Sequence, residues 1–262
     1  MKNFLIPFDF SDVSMNALKY AIKLAAGCEK AGINLLYISN SKMDANEENE
    51  LKNNFEELVE KYQVAGEPPI GYLFRTGKFT DTIVDLHKSL DIDLVIMGTS
   101  GAEEGVESPV TRTSRFVLEA DLPVLVIPVS HKHFKLKKIL LALGEDVMHD
   151  TSTLNLLLDV SSSTKAEVDV LTVSRNPESL GYSEADEKNE STLQYYLEMF
   201  YSHHSFAENE DILEGIDNYI KKNDVDLLAI MPKTHSKTGS PSKGKLTREV
   251  TLKSDIPVLV LD

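Results

Sequence analysis

One apolar pattern occurs twice in this chain, in the same order and at nearly constant spacing. "DLPVLVIPV" at 121–129 returns as "DIPVLVLD" at 255–262, an offset of 134 from Asp121 to Asp255. "DIDLVIM" at 91–97 returns as "DVDLLAIM" at 224–231, an offset of 133. "NFLIPFDF" at 3–10 pairs with "KILLALGE" at 138–145, and "INLLYISN" at 33–40 with "VDVLTVSR" at 168–175, both at 135. Four segments in register imply a tandem duplication. The boundary falls in "SHKHFKLKK", 130–138, giving expected domains of 1–131 and 136–262. With 262 residues in all, each copy is long enough to bury its own core.

Within each copy, short apolar runs alternate with amphipathic stretches. "NFLIPF" reads as a buried strand. "SMNALKYAIKLAAGCEKAG" places Leu18, Ala21, Ile22 and Ala25 on one helical face, with Ser14 as the expected N-cap. "INLLYIS", "IGYLFRTG", "DLVIMG" and "PVLVIPV" read as further strands. "NEENELKNNFEELVEKYQ", "FTDTIVDLHKSL" and 112–120 read as the intervening helices. This rhythm predicts an α/β fold: two tandem five-stranded parallel-sheet domains. In such a sheet a ligand sits outside the carboxyl ends of the strands, at a topological switch point. That directs attention to the turn at Asp9 and to the turn carrying Gly98 and Gly101.

Composition narrows the function classes. A net charge of −15 disfavours nucleic acid and anionic membrane as partners. The single cysteine, Cys28, excludes an intramolecular disulfide and reads as a packing residue. The first residues lack a signal-peptide apolar core, and no run of about 20 apolar residues is present to span a bilayer. The expectation is a cytoplasmic protein. No Walker A loop, nucleophile elbow or kinase motif is present, so the chain is expected not to be an enzyme. His131 and His133 lie in the linker, and His203 and His204 are neighbours on one expected strand. Neighbours on a strand face opposite sides, so they do not make a metal site.

"LIPFDFSDVSMNALKYA" and "DLVIMGTSG…LPVLVIP" resemble the universal stress protein family, closely in the first copy and in eroded form in the second. The resemblance implies the adenine-nucleotide α-hydrolase-like fold and pairing of the two copies through their last strands as an intramolecular pseudo-dimer, with further homo-oligomers open. Some family members bind ATP and others do not. The family signature is a glycine, two residues, a glycine, nine residues, then Gly-Ser or Gly-Thr. Asp9 matches the aspartate that holds the adenine and ribose end, and Ile38 the apolar residue beside the base. Gly98 and Gly101 match the first two glycines. Thr111 stands where the third glycine belongs, and Arg112 where the serine belongs. Ser114 matches a further hydroxyl position at the same helix start, and Thr113 adds another hydroxyl. In the second copy Gly144 replaces Asp9, and Met231 and Thr234 (or Pro232 and His235, one residue on) replace the glycines.

Glycine serves a phosphate because a Cβ blocks its approach to backbone N–H groups. The helix start at Arg112 adds unpaired donors and a positive dipole end. Glu103 and Glu104 oppose an anion by about 1 kcal/mol per exposed pair at ~4 Å, which a bound Mg2+ offsets. Two functions therefore stand side by side. One is a stress-response protein that binds ATP with Mg2+ in its first domain, at Asp9, Ile38, Gly98, Gly101 and 111–114. The other is a nucleotide-free scaffold that recognises a protein partner or another small ligand. In either case the polar stretch 174–191 reads as a surface excursion. "KTGSPSKGKLT" at 237–247 reads as a surface loop, and the aromatics Tyr195, Tyr196, Phe200 and Tyr201 read as core.

Overall fold

The computed structural model describes residues 1–101, 111–148, 151–175, 183–232 and 244–261. The first half runs β1 (Asn3–Pro7), α1 (Asp12–Ala26), β2 (Gly32–Ser39), α2 (Ala45–Tyr62), β3 (Ile70–Thr76), α3 (Phe79–Leu90), β4 (Leu94–Thr99), α4 (Arg112–Glu119) and β5 (Val124–Pro128). The second runs β6 (Lys138–Leu143), α5 (Leu154–Thr164), β7 (Glu167–Ser174), α6 (Glu184–Leu197), a 3-10 turn (Glu198–Phe200), β8 (Tyr201–Glu208), α7 (Ile212–Asn223), β9 (Leu227–Ile230), α8 (Lys245–Lys253) and β10 (Val258–Val260).

The strands form a single sheet in the order β3-β2-β1-β4-β5-β10-β9-β6-β7-β8. Each half has the same internal order, and all pairings within a half are parallel. The halves meet at β5 and β10, which pair antiparallel with Leu125 opposite Leu259. The last strands pair, as the resemblance implies, but their hydrogen bonds make the two five-stranded sheets one continuous ten-stranded sheet rather than two distinct ones. Burial explains the join. Both strands are apolar along their length and wholly buried, and an unpaired edge of that kind is unstable in water.

Helices cover both faces, which is why the central strands read as unbroken apolar runs. One core layer, from Phe4, Leu18 and Phe55 through Leu157 to Leu193, packs under α1, α2, α5 and α6. The other, from Leu36, Ile83 and Phe116 to Ile216 and Val250, packs under α3, α4, α7 and α8. Among the described residues no helix is long and apolar enough to cross a membrane.

Local details differ from expectation at four places. Of the expected surface loop 237–247, residues 245–247 form the first turn of α8, with Thr247 buried, and 237–243 lie outside the described residues. The N-cap of α1 is Ser11, not Ser14: Ser11 Oγ accepts a 3.2 Å hydrogen bond from Ser14 N, so Ser14 lies within the first turn. Residues 183–191 are not surface excursion but the cap and start of α6. Ser183 and Asp186 close a capping box, which stops the loop; 176–182 lie outside the described residues. Of the four expected core aromatics, Tyr196, Phe200 and Tyr201 pack partly against the core while Tyr195 is exposed. The linker packs onto α1, where Asn16 Nδ2 donates to the carbonyls of Pro128 and His131, each at 3.0 Å.

Candidate functional site

In the first half, β1→β2→β3 proceeds one way and β4 is added on the far side of β1. The crevice between the carboxyl ends of β1 and β4 is therefore the switch point. A cavity of about 450 Å3 opens there, lined by the ends of β1, β2 and β4, the start of α1, Phe79 and the first turn of α4.

Asp9 follows β1 on a turn that the backbone does not adopt freely. Phe10 has φ 62°, the left-handed region, which is costly for an aromatic residue. Its ring is held edge-on against Phe8 and Phe55, at centroid distances of 5.0 and 4.7 Å. That clamp fixes the carboxylate, whose Oδ1 accepts from Ser11 N at 3.2 Å and Ser11 Oγ at 2.5 Å. Burial pushes the Asp9 pKa up, but the hydrogen bonds of Ser11 and Ser14 and the Arg112 charge outweigh it. The net shift is downward, so Asp9 is an anion at neutral pH.

Gly98 closes β4 for a reason internal to the fold. A Cβ there would fall on the Val13 carbonyl oxygen and lie 2.6 Å from Val13 Cγ1. The first turn of α1 thus packs directly on the β4 backbone. Gly101 has φ +80°, and its N–H donates to Thr99 Oγ1 at 3.2 Å. The nearest foreign atom to a Cβ on Gly101 is the Leu252 carbonyl oxygen of α8, 3.4 Å away.

Thr111 replaces the expected glycine without strain. Its φ is −78° and it is the N-cap of α4. Thr111 Oγ1 accepts from Ser114 N, and Thr111 N donates to Ser114 Oγ, both at 3.0 Å. Threonine is a favoured cap and glycine a weaker one, so the change suits this helix start. Thr113 is buried, its Oγ1 donating to the Gly98 carbonyl at 2.7 Å, which ties α4 to β4. Arg112 is exposed, with its guanidinium 5.3 Å from the Phe79 ring centroid.

Of the sequence-derived candidates, Asp9, Ile38, Gly98, Thr111, Arg112 and Thr113 line the cavity. Gly101 and Ser114 do not; they shape the turn and the cap behind it. Glu103 and Glu104 lie outside the described residues. Phe79 and Val13 were not singled out from sequence. The only available signal for Phe79 was its place at the start of an amphipathic helix, and the Val13–Gly98 contact joins residues far apart in the chain.

The histidine pair divides as strand geometry demands. His203 Nδ1 lies 3.3 Å from the buried Asp169, while His204 Nε2 bonds Thr172 Oγ1 at 2.9 Å. Among the described residues no cluster of three or more histidine, cysteine, aspartate or glutamate side chains is placed to hold a metal. Cys28 is half-buried against the Leu24 carbonyl, and burial raises its thiol pKa.

Comparison with protein families matches residues 1–128 to the Universal stress protein family. A universal stress protein from Archaeoglobus fulgidus has the same fold, with TM-score 0.75 at 17% identity, over 99% of this chain and 98% of that one. A putative universal stress protein from Pseudomonas aeruginosa UCBPP-PA14 follows at TM-score 0.64 and 20% identity, over 100% and 93%. A functionally unknown protein from Pseudomonas aeruginosa PAO1 has TM-score 0.64 and 20% identity, over 100% and 92%. No curated protein sequence matches the chain. Residues 1–128 thus match the Universal stress protein family, and the second half of the chain has the same internal strand order as the first.

Proposed function

We propose that the unit 1–131 binds ATP with Mg2+ at the β1–β4 switch point, and that the unit 136–262 is its structural partner in an intramolecular pseudo-dimer. The observation that carries this reading is the meeting of an anion, a cation and a helix N-terminus in one cavity of ligand size. Asp9 keeps Oδ2 available to accept from a ribose hydroxyl or the adenine amino group, while Ile38 offers an apolar wall. The first-turn N–H groups of Arg112 and Thr113, with the Arg112 guanidinium, suit phosphate oxygens. The family match of residues 1–128 supports the same assignment. Among the described residues Asp9 is the one carboxylate lining the site, and its lowered pKa makes it a weak base. The function is then nucleotide-responsive signalling in a cytoplasmic stress response, with occupancy read by a protein partner.

A second reading, a nucleotide-free interaction scaffold, is favoured by one specific observation. Gly98 is accounted for by its contact with Val13, so its presence does not require a phosphate. Titration calorimetry of the full chain with ATP and Mg2+, alongside Asp9→Ala, separates the two. Micromolar binding that disappears in Asp9→Ala supports the sensor. No heat and no thermal shift at millimolar ATP overturns it in favour of the scaffold.

A further inference from the structure

The second half has a cavity of its own, of about 530 Å3, at the carboxyl ends of β6, β7 and β9. At the other end of β6 and β7 lies a polar cluster whose central residues have no counterpart in the first half. Its centre is Asp169, near the start of β7, with a side chain 2% exposed. The edge strand β8 bulges beside it. Val168 pairs with Tyr201 and Val170 with His204, so Ser202 and His203 together face the single residue Asp169. A bulge re-aims side chains in this way. It places His203 Nδ1 3.3 Å from Asp169 Oδ1 and 3.0 Å from Ser202 Oγ. In the first half the register is regular, with Asn34 opposite Gly71, so neither the carboxylate nor the imidazole is present.

The other polar atoms around Asp169 are engaged. Tyr219 of α7 donates to Asp169 Oδ2 at 3.4 Å, and its hydroxyl lies 3.1 Å from His203 Nε2 and 3.3 Å from Ser205 Oγ. Lys138 Nζ, at the start of β6, is 3.8 Å from the same Oδ2. With the Tyr219 proton on Oδ2, His203 Nε2–H donates to the Tyr219 oxygen, and Nδ1 keeps its lone pair. Asp169 Oδ1 is buried and receives no hydrogen bond. Two acceptor atoms thus stand 3.3 Å apart with no donor aimed at Oδ1. A buried carboxylate oxygen in that state is costly unless a cation meets it. The spacing suits one: tetrahedral zinc, with bonds of about 2.0–2.1 Å, holds its ligand atoms about 3.3–3.4 Å apart. Tyr219, bonded to both Nε2 and Oδ2, is the outer partner that fixes the imidazole tautomer and the carboxylate rotamer. The net charge of −15 draws cations to the surface.

We propose that the β8 bulge builds a zinc site, with Asp169 Oδ1 and His203 Nδ1 as protein ligands, Ser202 Oγ beside them and water on the exposed side of His203. The ligands come from two strands, so the alternation that separates His203 from His204 does not bear on them. Two ligands of the usual types make it a weaker site than a three-ligand centre. It is separate from the proposed nucleotide site and does not depend on it. The full chain, stripped with a chelator, is titrated calorimetrically with zinc chloride and should show one site. Asp169→Asn, which copies Asn34 of the first half, and His203→Gln should each weaken it at least about tenfold, and Tyr219→Phe about tenfold. Lys138→Gln removes the nearest competing cation and should tighten binding about threefold. His204→Gln, on the opposite face, should bind zinc as the parent does. ATP titration and circular dichroism of each variant should match the parent, which separates loss of this site from loss of the fold or of the nucleotide site. No zinc heat in the parent, undiminished binding in His203→Gln, or an equal loss in His204→Gln would each overturn the proposal. If Asp169→Asn does not fold, His203→Gln and Lys138→Gln, both changes at partly exposed side chains, decide it.

Discussion

Gly98→Ala tests whether the glycine that ends β4 serves the fold or a ligand. The added methyl would lie 2.6 Å from Val13 Cγ1 and 2.8 Å from the Val13 carbonyl carbon, and closer still to the carbonyl oxygen. Real Cβ atoms essentially never come nearer than 3.0 Å. A side chain could rotate away, but a carbonyl in the first turn of a helix cannot. Either α1 or β4 must move, and both are anchored: α1 by Leu18, Ala21 and Ala25, and β4 by Val95 and Ile96, each fully buried. Overpacking of this kind costs about 1–3 kcal/mol, and a backbone clash belongs at the upper end. Loss of glycine's freedom in the unfolded chain offsets about 0.4–1 kcal/mol. The expected net cost is about 2 kcal/mol, which for a chain of this size lowers the melting temperature by about 4–8 °C. Differential scanning calorimetry without ligand measures it, with urea midpoints as a second probe. The control is Gly101→Ala, where the obstacle is φ +80° and not a clash, and about 1–2 kcal/mol is expected. A ligand-free Gly98→Ala protein as stable as the parent would refute the packing argument. If it had also lost ATP binding, the glycine would be there for the phosphate.

Other consequences are as direct. Thr111→Ala removes one arm of the capping box at α4 and should cost about 1 kcal/mol by urea denaturation, while Thr111→Ser should restore most of it. Leu259→Ala opens a hole opposite Leu125 at the centre of the sheet; about 3 kcal/mol should be lost, with both halves still melting in one transition. Burial lowers the pKa of His204, despite the opposing pull of Asp186 and Glu190. A depressed folded-state pKa contributes stability above the unfolded value, and that stability is lost as pH falls through the folded one. Urea midpoints of the parent should therefore drop between about pH 7 and pH 5, and His204→Gln should flatten that drop. An equal drop in both proteins would show that another group is responsible.

The sequence carries the architecture because duplication states it twice. Apolar runs of strand length, spaced by amphipathic segments and repeated at a fixed offset, leave few topologies open. The strand ends that carry Asp9 and Gly98 follow from the same pattern, because a switch point is a property of chain order. What the pattern does not carry is contact between distant segments. Gly98 looks like half of a phosphate motif until Val13 is seen against it. Thr111 looks like a defect until its φ of −78° and its bonds to Ser114 show an ordinary helix cap. The polar run ending at 191 hides the start of α6 because its helical signal is a single capping box under a largely hydrophilic helix. The fusion into one sheet rests on edge strands whose partner is 134 residues away, and an apolar edge read locally shows only that something must cover it.

The antiparallel seam between β5 and β10 has a further consequence. It turns one half upside down relative to the other, so the strands of the two halves end at opposite rims of the same sheet. The switch points of the two halves, and the mouths that open there, therefore lie at opposite rims. What the mouths share is the helix pair on the seam: Gly244 before α8 lies against Leu118 of α4, and Gly101 before α4 lies against Leu252 of α8. A duplicated chain built this way can diverge in chemistry at one end while conserving it at the other.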